Sequence, residues 1–234
     1  MKTADQLHLP RPEAVYHNEV AKPTPEQQEL VSELSDRAAK VHSGIVEPRE
    51  DNMLKITSDG RKLGLDQRII NPDLPDEQGT KINMCVENIL RIWRDGEAEK
   101  LTQLVFCDIS TPKAKASPKK SAKEPQEESS DTPAFDPLVA LNASDSSFTA
   151  YDDIRSKLIA KVRTGQVRVL MGSTFKMGAG MNVQDRLIAL HDVDCPWRPG
   201  DLEQRSGRII RQGNMNKQVH IYRYVTEGTF DSYL

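Results

Sequence analysis

Four apolar runs constrain the fold more than any other feature. They are "LTQLVFCDIS" (101–110), "QVRVLMGS" (166–173), "RLIAL" (186–190) and "QVHIYRYV" (218–225). The first is apolar nearly throughout, as in a parallel strand covered on both faces rather than one with a wet side. Segments of helical period lie between the runs. Strands that alternate with helices define an α/β fold with a mainly parallel sheet. There is no internal repeat.

The helices carry their own signals. Thr24 is placed to cap a helix, Pro25 sits at its first position, and Gln27 completes a capping box. Leu30, Leu34, Ala38 and Val41 then share one face, and Gly44 ends the run. A second helix is predicted over Lys81–Asp95, with Ile82, Val86, Ile89, Leu90 and Trp93 at helical spacing and Gly96 as its stop. "YDDIRSKLIAKVR", from Tyr151, turns Ile154, Leu158 and Val162 inward. A last helix is expected from about Leu202 to Gln212, capped by Asp201 and ended by Gly213. Residues 51–75 read as irregular, with one short helix around Lys62–Asp66. Prolines at 10, 12, 23 and 25 make residues 1–24 an extended arm.

Composition breaks at residue 112. "PKAKASPKKSAKEPQEESSDTP" holds five lysines between 113 and 123, then four acids between 124 and 131. So little apolar surface cannot offset the entropy of ordering, so the stretch reads as a disordered linker, or as a loose nucleic-acid contact through its basic half. The chain as a whole has 234 residues and a formal net charge of −3, so attraction to nucleic acid must come from a local patch. Cys85, Cys107 and Cys195 are far apart, with no CxxC spacing, which suits reduced thiols and a cytoplasmic location. No apolar run approaches the roughly 18 residues of a membrane span.

Ligands of open α/β sheets bind beyond the carboxyl ends of the strands, which directs attention to "TFKMGAGMNVQDR" after the second apolar run. Gly178 and Gly180 there allow a sharp turn and close approach to a phosphate, or simply a tight turn. In "LEQRSGRIIRQGN", Gln204, Arg208 and Arg211 fall at i, i+4 and i+7 on one helical face, while Ile209 and Ile210 turn toward the core. Guanidiniums fixed in a row suit bidentate contact with phosphate oxygens. The competing reading is an exposed amphipathic helix whose arginines pair with Asp201 or Glu203.

These residues carry a resemblance. "QRSGRIIRQGN" resembles motif VI of superfamily-two helicases, "GAGMNVQ" (178–184) resembles motif V, and "LVFCDIST" (104–111) resembles the strand bearing motif IV. "DCPWRPGDLEQRSGR" followed by "NKQVHIYRYVTEGTFDSYL" is similar to Swi/Snf-type DNA-dependent ATPases, and closest to the helicase part of large phage and plasmid proteins that join such a helicase to a DNA methyltransferase. The resemblance covers about residues 50–111 and 148–234. It implies a second RecA-like lobe, with an N-terminal arm and helical extension over 1–80, the start of the lobe over 81–111, an insertion over 112–150 and the remainder over 151–234.

In that family ATP sits between two RecA-like lobes, and the second supplies arginine fingers. The resemblance assigns that part to Arg208 and Arg211, with Arg211 the better finger candidate, and makes Gln204 a polar contact near the nucleotide. It sets Gly178 and Gly180 beside the cofactor, and Thr111, Asn182 and Gln184 against the nucleic-acid backbone. Arg205 lies outside the pattern and is expected at the surface. The implied cofactor is ATP with Mg²⁺ held by the first lobe. The implied partners are DNA and that first lobe, in cis or in trans, with no membrane.

The sequence contains no G-x-x-x-x-G-K-[ST], no acidic box and no N-P-P-[YFW]. The chain is therefore expected to be a piece of a larger protein and inactive alone. "LIAKVRTGQVRVL" also runs from helix into strand without room for the extra strand and helix usual in the family, which leaves a sheet one strand short. Two other classes compete with the enzyme reading: a non-catalytic DNA- or protein-binding remnant or adaptor, and an unrelated nucleotide-binding α/β protein.

Overall fold

A computed structural model describes residues 10–109, 148–177 and 181–233. Five strands form one sheet: β1 (Glu13–Ala21), β2 (Thr102–Phe106), β3 (Val169–Gly172), β4 (Leu187–Asp192) and β5 (Gln218–Thr226). Their order is β1-β5-β4-β2-β3, and every pairing is parallel. Helices flank the sheet, so the α/β class read from the alternation of strands and helices holds. β2 is buried at all five positions, as its apolar run requires.

The fifth strand comes from the N-terminal segment. Nine residue pairs run from Glu13↔Gln218 to Ala21↔Thr226, so residues 13–21 of the expected arm are a strand paired with β5. The prolines that made it look like an arm lie outside the strand and bracket it, because proline cannot donate to a ladder. As an edge strand β1 stays half-wet, with Tyr16 and Val20 about half exposed. β3 forms the opposite edge.

One face of the sheet packs Leu104, Phe106, Leu190 and Ile221 against Leu158 and Val162 of α4 (Phe148–Arg163) and Ile209 of α6 (Pro199–Ile209). The other face packs Val105, Ala189, Tyr222 and Tyr224 against Cys85 and Ile92 of α3 (Lys81–Asp95), and Leu65 at the end of α2 (Met53–Leu65). Buried polar groups on this second face are satisfied. His191 pairs with Gln103 Oε1 at 3.0 Å and Tyr224 Oη at 2.9 Å, and Gln103 Nε2 donates to the Ile89 carbonyl at 3.0 Å.

α1 (Pro25–His42) begins with the predicted capping box at Thr24 and Gln27, and Gly44 follows it at φ +71°. Its Gln27 Nε2 also reaches the Leu63 carbonyl at 3.1 Å, docking α1 on α2. α3 has the predicted bounds. Its Lys81 is buried and ion-paired with Asp231, tying the helix start to the turn after β5.

α2 departs from the sequence reading, which gave it only a short helix near 62–66. It runs for 13 residues, with Asn52 accepting from the Lys55 amide at 3.0 Å as cap. Gly60 and Gly64 of this helix serve close packing. A Cβ on Gly60 would lie 3.4 Å from Phe230, and one on Gly64 only 3.0 Å from Asp231 Oδ1. A short four-residue turn, α5 (Thr174–Met177), follows β3.

Candidate functional site

The carboxyl ends of β2, β3 and β4 converge on Arg205 of α6. Its Nη2 donates to Asp108 Oδ2 at 2.8 Å and Asp194 Oδ1 at 3.1 Å. Nη1 donates to Asp192 Oδ1 and the Asp194 carbonyl, both at 3.0 Å, and Nε donates to Thr174 Oγ1 at 2.8 Å. The residue is fully buried, so the surface position expected for Arg205 is corrected. Three acids at strand ends need a cation once the core closes over them, and only a planar fork reaches all three. The missed signal was present: Asp108, Asp192 and Asp194 each end or follow an apolar run, where a lone carboxylate could not be buried.

Burial pushes Asp192 up to about 6, although the charge of Arg205 and its hydrogen bond oppose the shift. Asp194 Oδ2 also accepts from the backbone amides of Asp108 and Ile109, at 2.5 and 2.8 Å. Asp108 accepts in turn from the amide and hydroxyl of Thr174, at 2.6 and 2.8 Å. The carboxyl-end crevice therefore holds a network in which all three acids bond Arg205, while Asp192 Oδ2 is buried without a hydrogen-bond partner. Among the described residues no group of His, Cys, Asp and Glu is arranged to hold a metal ion.

The candidate finger lies at the other end of the sheet. α6 starts with Pro199 after the Arg198 cap, with Asp201 in its first turn rather than at the cap. It runs antiparallel to the strands and ends at Ile209, capped by the Ile210 amide donating to Ser206 O at 3.0 Å. The expected single row of three donors is thus corrected. Gln204 is exposed and Arg208 half-buried on the helix, whereas Arg211 sits in the turn beyond it. Gly213, at φ +90°, reverses that turn, and Asn214 Nδ2 fixes it to the Leu187 carbonyl at 2.8 Å, at the start of β4.

Gln184 reaches the same place. Its Nε2 donates to the Gln212 carbonyl at 3.4 Å, and the Met215 amide donates to the neighbouring Asp185 carbonyl at 2.9 Å. The fold therefore brings the end of the "GAGMNVQ" segment against the end of the arginine segment. Asn182 is exposed between buried Met181 and Val183. Gly178, Gly180 and Thr111 lie outside the described residues. Ile109 follows β2 at the carboxyl edge, while Gln184 opens the short turn Gln184–Arg186 that leads into β4. Ile109 and Gln184 thus lie toward opposite ends of the sheet, roughly 20 Å apart for a six-residue strand.

Among the described residues the half-buried Arg211 guanidinium has no carboxylate partner, in contrast to Arg37, Arg68, Arg163 and Arg205. Its charge is available to an incoming anion. Cys85 and Cys107 are buried thiols pushed up to about 12 by desolvation, which removes them as nucleophiles near neutral pH.

The fold is RecA-like, and it is that of the C-terminal lobe of Swi/Snf-type ATPases. The C-terminal part of the Fun30 ATPase domain superposes with a TM-score of 0.59 at 12% identity, over 97% of this chain and 88% of that one. The Sulfolobus solfataricus SWI2/SNF2 ATPase C-terminal domain gives 0.53 at 13%, over 94% and 83%. The ATPase core from the same organism, in complex with dsDNA, gives 0.56 at 14%, over 94% of this chain and 42% of the core. Two curated relatives match in sequence. Defense against restriction protein B of Escherichia phage P1 is 29% identical over 77 residues, 33% of this chain and 3% of that protein. The uncharacterized ATP-dependent helicase YqhH of Bacillus subtilis (strain 168) is 39% identical over 72 residues, 30% of this chain and 12% of its own length. The matches thus span a small part of either relative. No protein-family model matches the sequence. No helix among the described residues is long and apolar enough to cross a membrane.

Proposed function

We propose that this chain is the second lobe of an ATP-driven DNA helicase or translocase. It supplies Arg211, supported by Arg208, to an ATP site whose phosphate- and Mg²⁺-binding parts come from a first lobe. The observation that carries the reading is the Arg211 turn: a half-buried guanidinium without a carboxylate partner, beside Gln184, on a Swi/Snf-type lobe. A cation there would neutralise charge on the transferring phosphoryl group, an effect worth about 10³–10⁵ in rate. Gln204 is assigned a polar contact at the nucleotide, and Gly178 and Gly180 a close backbone approach to it. Thr111, Asn182 and Gln184 are assigned to the DNA backbone, by analogy with the dsDNA complex of the Sulfolobus core.

Half a cleft binds its ligand weakly. Calorimetry on the 234-residue chain is therefore expected to show ATP affinity weaker than micromolar, and a coupled assay no turnover. Micromolar ATP binding or measurable hydrolysis by the chain alone would instead support an unrelated nucleotide-binding α/β protein.

A further inference from the structure

One flank of α3 is apolar and uncovered. Ile82, Val86, Leu90 and Trp93 follow one another at i, i+4, i+8 and i+11. On the opposite flank Asn88 and Arg91 donate to the Tyr224 and Tyr222 hydroxyls of β5 at 3.3 and 3.1 Å. The apolar flank is therefore turned toward β2 and β3. Val169 and Met171 of β3 lie on this same face of the sheet, since they pair with Gln103 and Val105, and Gln103 reaches the Ile89 carbonyl of α3. Arg168 joins the two parts: its guanidinium lies 4.8 Å over the Trp93 ring and donates to the Trp93 carbonyl. Val86, Leu90, Trp93, Val169 and Met171 thus form an apolar strip whose members are 36% to 56% exposed. Large apolar side chains gathered in one place mark a docking surface rather than ordinary surface scatter.

We propose that residues 135–141 of this same chain dock on the strip. The stretch between Ile109 and Phe148 lies outside the described residues, but both of its ends are fixed beside the strip. Ile109 follows β2 and packs on the face of the sheet that carries the strip. Phe148 begins α4, which leads into the amino end of β3 and so starts near the carboxyl end of the same strands. All the large apolar residues of the stretch, Phe135, Leu138, Val139 and Leu141, fall within seven positions. Leu141 stands seven residues before Phe148, a reach of up to about 23–25 Å. β3 is an edge strand, so a chain passing from the α4 face to the strip has one strand edge to round. A segment tethered this way meets the strip at an effective concentration on the order of millimolar. A short apolar stretch then suffices where a free partner of the same composition would not.

The test is disulfide trapping in the full 234-residue chain at high dilution, with Cys195→Ser removing the one native thiol that is not buried. Leu90→Cys on the strip is combined with Val139→Cys, and in the control with Ser121→Cys. The Val139→Cys pair is expected to close a disulfide within one chain about tenfold faster than the control or more, because only a docked segment holds its thiol near the strip. Adding Leu138→Asp and Leu141→Asp should return the rate to that of the control while the melting temperature of the lobe holds. Equal rates for the two cysteine pairs overturn the inference. So does fast trapping that persists with both aspartates in place, since apolar docking is then not its cause. A disulfide that forms only between chains also overturns it, and makes a second copy the occupant of the strip.

Discussion

His191 and Asp192 are neighbours on β4, and burial drives their proton affinities in opposite directions. Desolvation lowers His191 from 6.5 to about 3, while it raises Asp192 from 3.8 to about 6. The depressed His191 contributes stability that is full above pH 6.5 and is lost as pH falls toward 3. The raised Asp192 contributes stability that is full below pH 3.8 and is lost as pH rises through about 6. Between about pH 4 and 6 the two slopes oppose each other. Asp192→Asn removes one of them and keeps an oxygen for Arg205. Urea unfolding should then show the variant losing up to about 3 kcal/mol more than wild type on going from pH 6 to pH 4. The same pH dependence in both proteins would contradict the assignment. Residue by residue, the sequence displayed two of the arginines and hid the third. Arg208 and Arg211 stood out by periodicity, but Arg205 is defined by three acids 11 to 97 positions away, a relation no local pattern contains.

At the scale of elements, what was legible depended on whether the signal was local. The Thr24–Gln27 capping box and the Lys81–Asp95 bounds of α3, with Gly96 as its stop, are local chemistry, and they stand as predicted. α2 was obscured because its glycines answer to Thr229, Phe230 and Asp231, more than 160 residues later in the chain. β1 was obscured because an edge strand with exposed Tyr16 and Val20 shows little alternation. The two α2 glycines give a contrast that measures this. At Gly60 an added methyl meets Phe230 at ordinary contact distance, so Gly60→Ala should be neutral or stabilising by up to about 1 kcal/mol through helix propensity. At Gly64 the methyl would press on the side chains of Asp231 and Thr229, in a group that includes the buried Lys81 pair. Gly64→Ala should therefore cost about 1–3 kcal/mol. Equal melting temperatures for the two variants would contradict the close packing of α2.

For the whole molecule, alternation of apolar strands with helices was enough to give the α/β class, and the motifs were enough to point to the fold shared with Swi/Snf-type C-terminal domains. Neither disclosed that β1 pairs with β5, nor that α6 spans from a carboxyl-end network to a turn at the opposite edge. That geometry separates the stabilising arginine from the candidate catalytic one and makes the account testable by a single substitution. The direct measurement is steady-state ATP hydrolysis with double-stranded DNA by the two-lobed protein, wild type against Arg211→Ala, with DNA affinity followed in parallel. The account predicts turnover reduced about 10³-fold or more with DNA binding nearly intact. Turnover retained above about a tenth of wild type would contradict Arg211 as the finger, since a residue that neutralises the transferring phosphoryl group cannot be lost so cheaply.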